Sequence, residues 1–512
     1  MRARLLNDAY LRLMKGRLEK IERFSSAAGE VQRAQLRYLV ERAADTEYGR
    51  RYGFDAIRTE EDFRRKVPLI TYEGLQDYVE RLMRGENYLL WPDRITSFAK
   101  SSGTTRSKSK YIPVSREAFQ YCHIRGGKDL FALYIREHPE SGIFYGRNVS
   151  LGGSLHPSPQ AGIVCGDVSA LITCNLPFWT GFRRSPRREI ALLHNWEDKL
   201  EGMVKDTLHR DVRGFLGVPS WMMLYLERTL AASGKDTLRE VWPNMELFVH
   251  GGVSFDPYRT QFKALMGEPF RYLETYNASE GFFGIQDSLS QPDMLLMLDY
   301  GIYYEFVPVE ETEKEQPQAV GIEDVEVGRN YALAISSNAG LWRYLIGDTV
   351  MFTSVRPYRF RISGRTRHFI NTFGEELIVE NADKALSATC TETGIEIRDY
   401  TAAPVFLDNR NRACHQWLVE FVSEPADLRD FSLRLDKHLK EVNSDYEAKR
   451  SHDLMLKQPQ IIPLPQGTFL RWLEAKGKLG GQHKVPRLSN NRELADEILS
   501  LAGLSDPETK NA

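Results

Sequence analysis

Cysteine is scarce in this chain, and what there is stands alone. Its 512 residues hold five cysteines (Cys122, Cys165, Cys174, Cys390 and Cys414), an odd number with no Cys-x-x-Cys spacing. Neither a disulfide framework nor a zinc site is expected from that pattern, which suits a reducing, cytoplasmic setting. Long apolar runs are missing as well. No window holds eighteen consecutive apolar residues, and the opening MRARLLNDAYLRLMKGRLEK has no apolar h-region, so neither a membrane span nor a secretory leader is expected. Charge of one sign is the third absence: 68 Lys and Arg stand against 70 Asp and Glu, a formal net of -2. A nucleic acid or an anionic bilayer selects a basic face, so neither is expected as the main partner. Two catalytic signatures are also lacking. There is no Gly-x-x-x-x-Gly-Lys-Ser/Thr loop of the P-loop kinases and no Gly-x-Ser-x-Gly elbow.

The composition that remains, 42% hydrophobic and 27% charged, is that of a globular protein with room for two large domains or about three average ones. From Leu5 to Met83 the chain reads mostly as helices. LRYLVERAADTEYGRRYGF spaces its apolar residues three and four apart, and TEEDFRRKVP opens with a Thr-x-x-Asp cap. From Asn148 onward short β-like runs end in glycine (NVSLGG, MELFVHGG, YALAISSNAG), with the helical stretches LEGMVKDTLHRDV and PSWMMLYLERTLAAS among them. Strands alternating with helices predict an α/β domain. MLLMLDYGIYYEFVPV reads as a strand pair around Asp299–Gly301, and the acidic EETEKEQPQ as an exposed loop. The texture changes after ISGRTRHFINTFGEEL, where WLVEFV reads as a strand and LRDFSLRLDKHLKEVN as a charged helix. A domain boundary is placed near Ile362–Thr366.

One stretch fits none of these elements. FAKSSGTTRSKSKYIPVS, Phe98 to Ser115, crowds Ser, Thr, Lys100, Arg106, Lys108 and Lys110 around Gly103 and offers no apolar face. Hydroxyls beside a small residue let backbone N–H groups close on an anion, and lysines add charge, which together make a cradle for polyphosphate. A solvated surface loop would read the same way, so two further segments decide. In LETYNASEGFFG (Leu273–Gly284), Tyr276 can stack on an adenine ring, Ser279 can contact phosphate and Glu280 can hold Mg²⁺ as a hard oxygen ligand. In GLWRYLIGDTV (Gly340–Val350), Asp348 follows a glycine at a strand end and can bind both ribose hydroxyls. Each signal is weak alone. Their order along the chain (phosphate loop, adenine and metal, ribose) is far more telling.

In that order the residues resemble the adenylate-forming superfamily of acyl-CoA synthetases, peptide-synthetase adenylation domains and luciferases. SSGTTRSKSKYIPVS, YNASEG, GLWRYLIGD and the tail GKLGGQHKVPRLSN are more closely similar to the plant auxin-responsive acyl acid–amido synthetases, the Gretchen Hagen family, and their bacterial relatives. TEYGRRYGF and EDFRRKVPLITYEGL extend the resemblance to the N-terminal helices. It implies a mixed α/β fold, with a large N-terminal domain over 1–362, its sheets flanked by helices, and a smaller mobile α+β domain over 366–512. It also implies ATP and Mg²⁺ as cofactors. By carry-over, Ser101, Ser102, Gly103, Thr104 and Thr105 sit on the phosphates, with Lys110 closing the loop. Tyr276 flanks adenine, Ser279 touches the α-phosphate, Glu280 holds Mg²⁺, Asp348 binds the ribose and Arg365 lies near the hinge. Lys484 matches a C-terminal lysine that meets the α-phosphate. The pattern departs from the superfamily at Arg106 and at Asn277, where glycine is usual.

The implied chemistry is activation of a carboxylic acid. A carboxylate is a poor electrophile, because its leaving group would be an oxide. Transfer of AMP makes a mixed anhydride with loss of pyrophosphate, and an amine, expected to be an amino acid, then displaces AMP. Positioning and charge neutralisation suffice, so no enzyme nucleophile is needed. An acyl-CoA ligase, with a thiol acceptor, is the alternative that the same motifs allow. His156, His250 and His483 read more simply as hydrogen-bonded structural residues. Leu151–Pro157 and Gly217–Leu224 read either as acyl-pocket walls or as strand-to-helix turns with Trp and Met in the core.

Overall fold

A computed structural model describes residues 2–504 apart from 102–109, 159, 253–254, 256–257, 313, 315, 366–368, 371–374, 376, 409–411, 444–445, 448–449, 451–455 and 479–483. The chain forms two compact units, one of Met1–Val253, Lys263–Arg361 and Gly480–Gln482, the other of Ser254–Phe262, Ile362–Leu479 and His483–Ala512.

The first unit opens with the expected helices, among them Arg2–Glu22, Phe24–Ala43, Glu60–Lys66 and Tyr72–Met83. Thr59 starts one of them. Its Oγ1 accepts from Asp62 N at 3.0 Å while Asp62 Oδ2 accepts from Thr59 N at 3.2 Å, so two otherwise orphaned donors are satisfied reciprocally.

Eleven strands among the described residues make one sheet of two characters. In spatial order, Arg184–Ser185, Arg147–Leu151, Val212–Gly217, Leu247–Gly251 and Arg271–Asn277 run parallel. Parallel neighbours need crossovers, and helices such as Trp196–Thr207 and Pro219–Ser233 supply them. From Arg271–Asn277 the sheet continues through Phe282–Ile285, Met294–Leu296, Tyr358–Arg365, Tyr344–Val355, Asn330–Ser337 and Ile302–Pro308, in mainly antiparallel pairs.

Met294–Leu296 and Ile302–Pro308 are both strands, but they are not partners. The first pairs with Phe282–Ile285 and Tyr358–Arg365, the second with Asn330–Ser337 at the sheet edge. Every residue of Ile302–Pro308 is buried, so no inside–outside alternation survives there. Its edge still needs hydrogen-bond partners; Val320 pairs with Phe306, and Gln32 serves the start of the strand. Gln32 Nε2 donates to Leu298 O at 2.8 Å and Ile302 O at 3.1 Å, and Oε1 accepts from Tyr304 N at 2.8 Å.

A separate four-stranded sheet carries the basic stretch, in the order Lys110–Val114, Ser97–Ser101, Val164–Gly166, Leu155–His156. Ser101 and Lys110 face each other across its antiparallel pair, so residues 102–109 connect two partnered strands.

In the second unit Ile397–Asp408, Arg412–Phe421 and Leu456–Leu464 form a three-stranded sheet, antiparallel then parallel. Helices Val379–Thr393 and Leu428–Val442 bury Leu386, Phe431 and Leu435 in one core with Trp417 and Val419 of the sheet. Asp427 caps the second of these helices by accepting from Arg429 N and Asp430 N. The segment Ser254–Phe262 groups with this unit through Gln261 Nε2, which donates to Ile397 O at 2.8 Å, and Tyr258, whose Oη accepts from Arg487 at 3.1 Å.

Candidate nucleotide site

Tyr276 and Asn277 end the strand Arg271–Asn277, and the chain returns in Phe282–Ile285. Asn277 and Phe282 face each other across the pair, leaving the four residues Ala278 to Gly281 as the loop. Ala278 N donates to Gly281 O at 2.8 Å, which closes that loop tightly enough to hold Ser279 only 8% exposed, with Glu280 half-buried beside it. Tyr276 is packed within the sheet. Its ring lies 4.8 Å from that of Phe283 and 6.2 Å from that of Phe360, and it is 4% exposed.

The Tyr276 hydroxyl donates to Asp348 Oδ2 at 2.5 Å, so the second and third motifs meet. Asp348 is not at an exposed strand end, as its sequence context suggests. It stands inside Tyr344–Val355, 7% exposed, directly after Gly347, whose φ of 95 is a left-handed turn of the backbone that glycine adopts without strain.

What holds the GLWRYLIGD segment in place is Arg343, itself at φ 44. A side chain pays for that conformation only where its surroundings insist on it. Arg343 Nε donates to Glu305 Oε2 at 2.8 Å, Nη2 to Glu305 Oε1 at 3.0 Å, and Nη1 to the carbonyls of Arg64 and Val67 at 3.0 and 2.7 Å. Ile70 N donates to Arg343 O and Leu345 N to Ile70 O, which fixes the N-terminal segment along the same strand. Arg343 is not among the residues that the motif reading marks out, yet the sequence carries a signal for it. Glu305 is the one charge in the apolar run IYYEFVPV, and a carboxylate there needs a cation.

Burial raises the Tyr344 phenol well above its usual range, with Glu280 next among the causes and Tyr72, Glu73 and Asp348 after it. Glu280, Asp348 and Tyr344 therefore share one electrostatic neighbourhood. Tyr72 ties the basic stretch to the same region: its Oη accepts from Tyr111 N at 2.9 Å, and Lys110 Nζ lies 5.6 Å from the centre of its ring. Ser101 ends its strand, while Ser102, Gly103, Thr104 and Thr105, like Arg106, Lys108 and His483, lie outside the described residues.

Arg365 and Lys484 belong to the second unit. Arg365 is the last residue of Tyr358–Arg365. Lys484 is half-buried, and the chain after it is anchored rather than loose. Thr401 Oγ1 donates to Pro486 O at 2.7 Å, Ala402 N to Arg487 O at 2.8 Å and Ser489 N to Ala402 O at 3.0 Å. The Arg487 guanidinium lies 4.6 Å from the centre of the Tyr400 ring and pairs with Asp399.

The two candidate acyl walls are built differently. Trp221, Met222 and Met223 are buried, with Trp221 edge-on to Trp196 at 4.4 Å. Gly152 and Gly153 turn out of the parallel sheet so closely that a Cβ on Gly153 would meet Asp167 Oδ2 at 1.8 Å. The buried Lys199 ammonium holds this turn, donating to Gly152 O at 3.3 Å, Gly153 O at 2.9 Å and Ser154 Oγ at 2.8 Å. Lys199 too escapes a motif reading, although it falls on the apolar face that Trp196, Leu200 and Met203 mark. His156 Nε2 lies 3.8 Å from Asp167 Oδ1, beyond a hydrogen bond.

Comparison with known proteins reaches most of the chain. The family models for the GH3 family N-terminal domain, central domain and C-terminal domain match residues 17–270, 295–365 and 380–493. Indole-3-acetic acid-amido synthetase GH3.3 of Arabidopsis thaliana is 24% identical over 92% of this chain and 91% of that protein. Among solved structures, GH3.15 acyl acid amido synthetase superposes with a TM-score of 0.77 at 17% identity, over 96% of each chain. A 2-hydroxyisobutyryl-CoA ligase in its postadenylation state gives 0.58 at 14% identity, over 92% of this chain and 91% of that one. These two likenesses are of fold.

Proposed function

The chain belongs to the GH3 family, and on that premise we propose that it is an ATP-dependent acyl acid–amido synthetase, a ligase that adenylates a carboxylic acid and passes the acyl group to an amine. The observation that carries this reading is the hydrogen bond from Tyr276 to Asp348, which joins two nucleotide motifs 72 residues apart. With it, one neighbourhood offers a carboxylate for ribose hydroxyls, a buried serine on a tight loop and a half-buried carboxylate beside that serine.

The residues fit Mg²⁺ in the way a nucleotide-bound ion needs. Among the described residues no group of three or more His, Cys, Asp or Glu is placed to hold a metal, so an all-protein cage is not expected. Glu280 would serve as one oxygen ligand, alongside substrate phosphates and water. Bound there, Mg²⁺ would neutralise charge on the departing pyrophosphate. Ser279 orients the α-phosphate, Asp348 holds the ribose, and Tyr276 keeps the Asp348 carboxylate in place as well as bordering the base. Ser101 through Thr105, with Lys110, hold the phosphates. Arg365 and Lys484 add positive charge for the nucleotide, Lys484 for the α-phosphate during adenylation. The acid's carboxylate attacks that phosphorus, pyrophosphate leaves, and the amine then attacks the acyl carbon and releases AMP. The acceptor is an amine, as the names of the amido-synthetase relatives suggest; an amino acid as that amine, and a cytoplasmic setting, are part of the same proposal.

A panel of carboxylic acids tests the reading. Pyrophosphate should form only with ATP, Mg²⁺ and a suitable acid, and AMP release should then need an amino acid. ADP and phosphate as products would sink adenylation; a need for coenzyme A would move the enzyme to the thioester-forming class. Lys484→Ala should slow pyrophosphate release about a hundredfold, with aminolysis of supplied acyl-adenylate reduced far less.

A further inference from the structure

The basic stretch does not stop at the phosphate cradle. The strand Lys110–Val114 runs into Ser115, whose Oγ donates to Asn338 O at 2.6 Å and accepts from Ala118 N at 3.0 Å. That serine starts a helix which, after one turn, opens into a π turn over Phe119–His123 before continuing as Ile124–Glu137. Wide turns of this kind cost hydrogen-bond geometry and are found mostly where a helix must re-aim side chains.

Two consecutive side chains of this turn reach the two residues that close the Ala278–Gly281 loop. His123 Nδ1 lies 3.0 Å from Asn277 Oδ1, and Cys122 Sγ accepts from Phe282 N at 3.0 Å. Asn277 and Phe282 are paired across the hairpin, so the turn grips both feet of one loop. The approach is close: a Cβ on Gly126, in the next turn, would meet the Phe282 ring at 2.6 Å. Burial pushes the His123 imidazole down to about 4, against the opposing pull of the Asn277 contact. The ring is thus neutral at ordinary pH and donates its Nδ1–H to the Asn277 oxygen. Burial likewise pushes the Cys122 thiol up to about 12, which makes it a packing group and hydrogen-bond acceptor rather than a nucleophile.

We propose that the π turn Phe119–His123 is a positioning element of the nucleotide site, with His123 and Cys122 fixing the loop that carries Ser279 and Glu280. This rests on the reading of that loop as the seat of Mg·ATP. It also accounts for Asn277. Where glycine would leave the loop's foot untethered, the amide ties it to the helix that follows the phosphate cradle. The two motifs are mechanically linked. His123 and Cys122 touch no substrate; they act through Asn277 and Phe282.

The test uses the full chain with Mg·ATP as probe and two readouts, the rise in melting temperature that Mg·ATP produces and the Mg²⁺ and ATP dependence of acid-driven pyrophosphate exchange. His123→Phe keeps a flat ring and removes the donor. It should cut the Mg·ATP-induced rise and increase the half-saturating ATP and Mg²⁺ roughly tenfold. His123→Asn places an amide N–H where Nδ1 stood and should recover most of that loss. Asn277→Gly should mimic His123→Phe, and the double variant should be no worse than either, the non-additivity of groups that act through one contact. A His123→Phe protein that melts lower yet shows the wild-type response to ATP and Mg²⁺ overturns the proposal, as does failure of His123→Asn to recover it. Wild-type protein that is stabilised by Mg·ATP but shows no acid-dependent exchange would sink adenylation instead, and the melting arm would still decide the π turn. Wild-type protein indifferent to Mg·ATP would overturn both.

Discussion

The two halves of the large sheet each bury a cation, and they satisfy it by different means. In the antiparallel half Arg343, 6% exposed, meets the Glu305 carboxylate through two hydrogen bonds and adds two backbone carbonyls. In the parallel half Lys199, 1% exposed, is held by the carbonyls of Gly152 and Gly153 and the hydroxyl of Ser154. Those partners are dipoles, not charges. Burial therefore pushes the Lys199 ammonium down to about 8, and Asp167 pulls back only in part. An opposite charge makes a buried cation permanent, whereas dipoles leave it poised to lose its proton. The GLWRYLIGD segment is thus a fixed scaffold, and the Gly152–Ser154 turn is one whose stability follows pH.

Breaking the ion pair gives the largest effect. Arg343→Met leaves Glu305, 1% exposed, without its main partner, and the loss in unfolding free energy should be about 3–5 kcal/mol. Arg64 Nε, 3.3 Å from Glu305 Oε1, offers partial compensation and favours the lower end. Adding Glu305→Gln to Arg343→Met should recover part of the loss, since the orphan charge is then gone. Urea midpoints measure both. A single variant within about 0.5 kcal/mol of wild type would mean that the pair is not what sets the Arg343 backbone.

Asp348 probes the same half at smaller scale. Because it sits inside its strand and accepts from Tyr276, its removal should act on the fold as well as on the proposed ATP site. Asp348→Ala should cost roughly 1.5–3 kcal/mol of stability and raise the Michaelis constant for ATP. Asp348→Asn keeps an acceptor for Tyr276 and should restore most of the stability but less of the ATP affinity. Equal recovery of both by Asn would reassign the residue to a purely structural role.

The sequence makes some of this plain and hides the rest, for physical reasons. Local signals survive translation into structure: the Thr59 cap forms because both its bonds lie within four residues, and the glycine-ended runs become strands because their periodicity is local. Partnerships between distant segments are not local. MLLMLDYGIYYEFVPV gives two strands, but which neighbours they choose depends on the sheet order, and the burial of Ile302–Pro308 on both faces erases the alternation. The proposed nucleotide motifs are legible as types of residue, while the Tyr276–Asp348 contact and the grip of His123 on Asn277 span 72 and 154 residues and belong to the fold alone. A lone charge on an apolar face, as at Glu305 and Lys199, announces a buried partnership without naming the partner.

The smallest effect sharpens the comparison most directly, because it turns on sign. Free lysine titrates at 10.5, and Lys199 in the folded chain at about 8, so between those values the unfolded chain binds more protons than the folded one. Unfolding free energy must therefore rise with pH across that window, and the penalty for the buried charge is present in full below about pH 8. From about pH 7 to about pH 9 the gain should be on the order of 1 kcal/mol. Lys199→Met removes the titrating group and should abolish that gain, whatever it costs in overall stability by leaving Gly153 O and Ser154 Oγ without their donor. Arg343→Met should leave the gain untouched, since it does not alter the partners of Lys199. The measurement is the difference in urea midpoint between the two pH values for wild type and for each variant, which cancels the titration of every other residue. If Lys199→Met retains the wild-type gain, the ammonium is hydrated or paired in solution, and the contrast between the two halves of the sheet falls.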